Sequence, residues 1–215
     1  MGKRIETSRR GSGAWWLENG ELVKIAVGLV HYPIHDRHKR IVATNVTNLD
    51  VHDIARASRV FGISRYYIIH PMADQRSFVA RMLDHWRVGD GGQFNPMRKT
   101  ALTMVDTAES LDAAIDDWNK IEGRTDRPLI VSTHARALDG VPSITFRDMR
   151  ARIEAAGPEE RLFLIFGTGF GLTEEFMRGC DLLLEPVRGA PPDDYRHLSV
   201  RSAVSIILDR LRGAW

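Results

Sequence analysis

Residues 161–211 read RLFLIFGTGFGLTEEFMRGCDLLLEPVRGAPPDDYRHLSVRSAVSIILDRL. A short apolar run ends in a glycine loop, Gly167-Thr168-Gly169-Phe170-Gly171. A second apolar run, 181–184, ends in another loop, 185–197, and an apolar helix is predicted over 198–211. Two strands ending in loops that can meet a ligand by backbone point to a nucleotide-like cofactor at their carboxyl ends. The helix carries Val200, Ala203, Val204, Ile206, Ile207, Leu208 and Leu211. That surface is too broad for one sheet face to cover. The helix is therefore expected to be buried on several sides, at a homodimer interface or within its own domain.

Upstream, strands and helices alternate. Residues 22–30, LVKIAVGLV, read as a strand buried on both faces, and the loop 31–40, HYPIHDRHKR, follows. A helix is predicted over 50–62, with Asp50 as N-cap, Ile54, Ala57, Ser58 and Phe61 inward, and Gly62 as the stop. Next come a strand at 65–70 and a helix at 74–88 with Phe78, Met82 and Leu83 inward. Gly89, Gly91, Gly92 and Pro96 argue against regular structure over 89–99. Then follow a strand at 102–105, a helix at 109–121 burying Leu111, Ala114, Ile115 and Trp118, a strand at 129–133 and a basic helix at 145–156. The pattern predicts an α/β domain over 22–215, a mainly parallel sheet flanked by helices, preceded by an N-terminal arm, 1–21.

The chain has 215 residues and a formal net charge of +2, so its overall field does not demand a nucleic-acid partner. Its basic residues cluster, however: Arg37, Lys39 and Arg40 in one loop, Arg147, Arg150 and Arg152 on one helix, and Lys3, Arg4, Arg9 and Arg10 in the arm. Such patches bind phosphates, or are solvated faces. The single cysteine, Cys180, excludes an internal disulfide framework and suits a reducing compartment, the cytoplasm. No apolar run reaches the length of a membrane span. The arm has no apolar core, so it does not read as a secretory signal.

The glycine loop resembles a dinucleotide fingerprint but opens only a short helix and lies late in the chain. No Lys-Ser/Thr follows it, so it is not a phosphate-binding P-loop. His31, His35 and His38 complete no familiar metal-ligand set, and no metal is expected. Trp86, Phe94, Arg98 and Lys99 either stack and pair with a nucleotide or pack their own loop down.

Five pieces together resemble the SPOUT class of RNA methyltransferases. They are HYP (31–33), TNLDVHDIARASRVFG (47–62), HWRVGDGGQFNPMR (85–98), LIFGTGFGL (164–172) and YRHLSVRSAVSIILDRL (195–211). The resemblance implies a C-terminal trefoil knot, a homodimer formed through the C-terminal helix, an RNA substrate and S-adenosylmethionine (SAM) as cofactor. It implies a cofactor site from three loops: Ser132, Thr133 and His134; Gly167, Thr168, Gly169, Gly171 and Leu172; and Glu185, Pro186, Val187, Leu198, Ser199 and Ala203. Val187 and Leu198 are placed to sandwich the base. Arg56 matches the arginine that assists the ribose hydroxyl in the 2′-O branch. His52, Asp53, Arg37, Lys39, Arg40, Trp86, Arg98 and Arg196 are candidates for substrate contact. The glycine loop lacks that branch's glutamate, Ser199 replaces its asparagine and Arg201 its serine, so base methylation stays open. The rivals are an RNA-binding protein that keeps the fold without catalysis, and a nicotinamide enzyme using the glycine loop.

Overall fold

The computed structural model describes residues 23–136 and 138–214. The expected arm, 1–21, lies outside the described residues.

Among the described residues, seven strands form one sheet in the order β5-β4-β1-β8-β6-β9-β7, every neighbouring pair parallel. They are β1 (Lys24–Val30), β4 (Arg65–Ile69), β5 (Val105–Ala108), β6 (Leu129–Thr133), β7 (Ser143–Ile144), β8 (Arg161–Gly167) and β9 (Leu182–Leu184). A separate antiparallel hairpin joins β2 (Ile34–His35) to β3 (Ile41–Val42). Strand pleating sends alternate residues to opposite faces, and both faces are apolar. From β1, Ile25, Val27 and Leu29 enter one core, and Ala26 and Val30 the other; β8 divides in the same way.

Helices α1 (Asn48–Val60), α2 (Ala73–Arg87), α4 (Pro96–Leu102), α6 (Phe146–Ala155) and α8 (Val200–Arg212) cover the first face. Helices α5 (Leu111–Glu122) and α7 (Glu174–Arg178) cover the second. On that face Trp118 and Tyr67 meet Phe163 edge to face, with centroids 5.7 and 5.8 Å apart, the geometry aromatic quadrupoles favour. The chain runs outward from β1 through β4 to β5, then crosses to β6 on the other side of β8. The loops after β1 and β8 therefore meet at a reversal of strand order, where open α/β sheets hold ligands.

Several local expectations are corrected. Helix α1 begins at Asn48, not Asp50: Thr47 is its N-cap, accepting the Asp50 N–H at 3.2 Å while its hydroxyl donates to the Asp50 carboxylate at 2.6 Å. Phe78, expected inward, is 38% exposed, and Val79 is buried instead. The stretch 89–99 is not irregular. It forms α3 (Gly91–Phe94) and most of α4, with Asn95 capping α4 by accepting the Arg98 N–H at 3.0 Å. A Cβ at Gly91 would lie 2.8 Å from the His85 ring, and one at Gly92 2.6 Å from the Trp86 carbonyl. These glycines permit close packing rather than a turn. The strand expected at 102–105 starts at Val105, because Leu102 is the buried last residue of α4.

Candidate functional site

Adjacent strands β8, β6 and β9 bring the ends of three loops together. The Thr133 hydroxyl donates to the Ile165 carbonyl at 3.0 Å, locking β6 to β8. In the glycine loop, a Cβ at Gly167 would fall 2.7 Å from Leu172 Cγ, and Gly169 and Gly171 have φ of 56° and 100°. A Cβ at Gly171 would lie 3.1 Å from His134 Nε2, so this loop abuts the one after β6. The β2–β3 hairpin is laced to the glycine loop's outer edge: the His35 N–H donates to the Gly171 carbonyl at 2.9 Å.

The side chains of Ser132, Thr168 and Leu172 are buried, so they build the loops and leave backbone to face a ligand. Glu185 uses its carboxylate to accept the Phe146 N–H at 2.6 Å, at the start of α6. Pro186 is buried and Val187 packs on the core, while Leu198 is 40% exposed. Ser199 caps α8, accepting the Ser202 N–H at 3.2 Å, and Ala203 is half-buried in the first turn.

A cleft of about 430 Å³ opens between two of these loops, lined by Ala135, Arg136 and residues 193–197. Its far wall is a tight turn. The Gly189 N–H donates to Asp194 Oδ1 at 3.0 Å, and Asp194 also pairs with Arg196. That guanidinium holds the Asp194 carboxyl below the usual carboxylate range. Arg196, expected to meet substrate, thus belongs to this cleft. Arg136, Tyr195 and His197 lie in two of the expected loops but were not singled out there; Tyr195 and His197 belong to the family-like stretch 195–211.

A second cleft, of about 540 Å³, is lined by Asn48, Leu49, His52, Asp53, Arg56, Met82, His85, Trp86 and Arg98. Five of the expected residues, His52, Asp53, Arg56, Trp86 and Arg98, come together here from α1, α2 and α4. The Arg98 guanidinium sits 4.6 Å over the Trp86 ring, and His52 meets that ring edge-on at 5.3 Å. His52 Nδ1 is buried without a partner. Burial, then the nearby Arg98 charge, pushes the His52 pKa down, against the pull of Asp53, so the imidazole is neutral near neutral pH. Asp53 and Asp50 both pair with Arg201 of α8, at 3.6 Å each.

Arg37, Lys39 and Arg40 line neither cleft. They ride on the exposed hairpin, where Arg40 pairs with Asp36 at 2.7 Å and Arg37 donates to His38 at 2.9 Å. His31, His35 and His38 diverge, and the described residues contain no group of three or more His, Cys, Asp or Glu able to hold a metal ion. No helix among the described residues is long and apolar enough to cross a membrane.

Under the glycine loop lies a buried polar chain. His31 Nδ1 is 3.0 Å from the Thr44 hydroxyl, which is 2.5 Å from the Thr168 hydroxyl, and His70 Nε2 is 3.1 Å from the Thr44 carbonyl. Burial, with the neighbouring His70, holds the His31 pKa at about 4. The unfolded chain takes up this proton near the ordinary value of 6.5 and the folded one only near 4, so stability is full above the higher value and falls as pH drops between them. The loss is on the order of 3 kcal/mol. Urea midpoints at about pH 7.5 and about pH 4.5 should therefore differ more for the wild type than for His31→Leu.

Residues 24–213 match the model of a family described as SAM-dependent RNA methyltransferase. A protein of Nitratidesulfovibrio vulgaris named tRNA (guanine-N(1)-)-methyltransferase is 41% identical over 185 residues, covering 86% of this chain and 41% of its own length. An uncharacterized protein of Aquifex aeolicus is 38% identical over 187 residues, covering 87% of both. The chain thus spans about two fifths of the length of the named tRNA methyltransferase. Among solved structures, a probable methylase family protein of Haemophilus influenzae superposes with a TM-score of 0.58 at 21% identity, over 90% of this chain and 67% of the other. A putative methylase family protein of Neisseria gonorrhoeae gives 0.57 at 21%, over 88% and 82%. These likenesses show the fold.

Proposed function

The chain belongs to the SAM-dependent RNA methyltransferases, and from that premise we propose that it methylates an RNA, a tRNA or an rRNA, with SAM in the first cleft and the acceptor nucleotide in the second. The observation that carries the reading is the second cleft, where Arg56, His52, Trp86 and Arg98 converge beside α8, the helix that continues the first cleft's loop.

The first cleft fits the cofactor. Its volume suits a ligand of that size. Tyr195, 68% exposed, offers a ring for the adenine, Arg136 a cation for the carboxylate, and Asp193 an acceptor for the ribose hydroxyls. Gly167 and Gly171 do not line this cleft; they let the glycine loop close on Leu172 and on His134 of the loop after β6. When bound, SAM supplies a methyl group on a positively charged sulfur.

In the second cleft, Arg56 holds the negative charge that develops on an acceptor oxygen or nitrogen as its proton leaves. Neutral His52 is able to accept that proton. Trp86, beneath a guanidinium that a base can displace, supplies a stacking surface, and Arg98 then meets phosphate. A ribose 2′-hydroxyl is the acceptor that Arg56 favours. A guanine nitrogen, the acceptor in the relatives' names, is the second reading, and the replacement of the 2′-O branch's serine by ion-paired Arg201 favours it.

The trefoil knot, residues 22–215 as one catalytic domain, and the cytoplasm as its location belong to the same proposal. So does a homodimer through α8, where Val200, Ala203 and Ile206 are only half-buried and Leu198 is exposed. Isothermal titration with SAM is the test: a dissociation constant of about 1–100 μM is expected. Sedimentation of the same sample should give twice the chain's mass. Absence of SAM binding at millimolar ligand would overturn the reading, and RNA binding without methyl incorporation would favour the non-catalytic rival.

A further inference from the structure

Arg201 stands in the first turn of α8, two residues after the Ser199 cap, and reaches across to α1. Its Nε lies 3.6 Å from Asp50 Oδ1 and its Nη1 3.6 Å from Asp53 Oδ2. Asp50 is already committed, accepting the Thr47 hydroxyl that caps α1. Asp53 and Arg56 lie three residues apart on α1, a spacing at which a carboxylate and a guanidinium on a helix surface meet. Here they do not pair. Among the described residues Asp53 is bridged to Arg201, and Arg56, exposed on the second cleft, is in no ion pair.

We propose that Arg201 is a positioning residue: it draws Asp53 away from Arg56 and so leaves the Arg56 guanidinium free for the acceptor nucleotide. Without Arg201, two carboxylates on one helix face would be left unneutralised, and Asp53 would turn to Arg56, the cation three residues on along the same helix. A guanidinium bound to a carboxylate no longer stabilises charge on an acceptor atom. The bridge also joins the helix that begins where the first cleft's loop ends to a wall of the second cleft.

The inference rests on the reading that Arg56 acts on the substrate. Its test is methyl transfer from methyl-labelled SAM to bulk RNA of cells lacking the protein, alongside SAM titration. Arg201→Gln is expected to lower turnover about tenfold or more with SAM affinity unchanged. Adding Asp53→Asn should restore most of it, because the competing carboxylate is gone. A purely structural Arg201 would not be rescued by removing Asp53. Arg201→Lys, which keeps the charge and the stem, guards against a folding failure and should retain at least about half of turnover. Full turnover in Arg201→Gln, or the same loss with and without Asp53→Asn, overturns the inference. Full turnover in Arg56→Ala would instead overturn the reading beneath it.

Discussion

Replacing Arg56 with alanine is expected to lower methyl transfer to bulk RNA by about 10²–10³-fold, the range for removing one group aimed at developing charge, while SAM binds as before. Arg56 is exposed, lines the second cleft and is in no ion pair among the described residues. Its loss therefore leaves no cavity and no orphaned partner, and stability should change by no more than about 0.5 kcal/mol. The two readouts separate because the first cleft draws no residue from α1. Arg56→Lys should recover only part of the rate, since an ammonium keeps the charge but not the planar fork. Wild-type turnover in Arg56→Ala would remove Arg56 from the chemistry and leave the cleft as a binding surface.

What the sequence made legible follows from how local each cause is. Strands β1, β6 and β8 are apolar on both faces, so their runs announce central parallel strands with no knowledge of partners. Helix α5 shows its buried stripe, Ala114, Ile115 and Trp118, at helical spacing. Strands β2, β3 and β7, two residues each, carry no periodicity to read. Gly91 and Gly92 look like breakers, because the His85 and Trp86 groups that crowd them come from the preceding helix's last turn. Strand order is a property of long-range pairing and was not readable at all.

The site divides on the same line. No spacing rule unites residues 52–56 with 86 and 98; the family resemblance pointed to 52–56, the aromatic and basic character of the 86–99 stretch to Trp86 and Arg98, and the packing of α1, α2 and α4 explains why they meet. Glu185 matched a cofactor loop by position, yet its carboxylate serves the start of α6. The role proposed for Arg201 is invisible in sequence, since its partners lie about 150 residues away and meet it only because α1 and α8 pack side by side on one face of the sheet.

Gly189→Ala is expected to weaken SAM binding by at least about thirtyfold, roughly 2 kcal/mol. A Cβ there would lie 2.5 Å from both the backbone nitrogen and the carbonyl oxygen of Tyr195. Neither is the end of a flexible side chain, so the turn itself must open. Opening it breaks the Gly189 N–H bond to Asp194 and frees Arg196 from the wall of the first cleft. The turn lies between β9 and α8, outside the sheet and both apolar cores, so the fold should survive. Gly123→Ala is the control. That glycine ends α5 with a φ of 64° and nothing within 4 Å of an added Cβ. Forcing alanine into the left-handed region costs about 1–2 kcal/mol of stability, far from either cleft, and should leave SAM affinity unchanged. If Gly189→Ala bound SAM as tightly as Gly123→Ala does, the turn before α8 would not hold the cofactor, and the first cleft would lose its assignment.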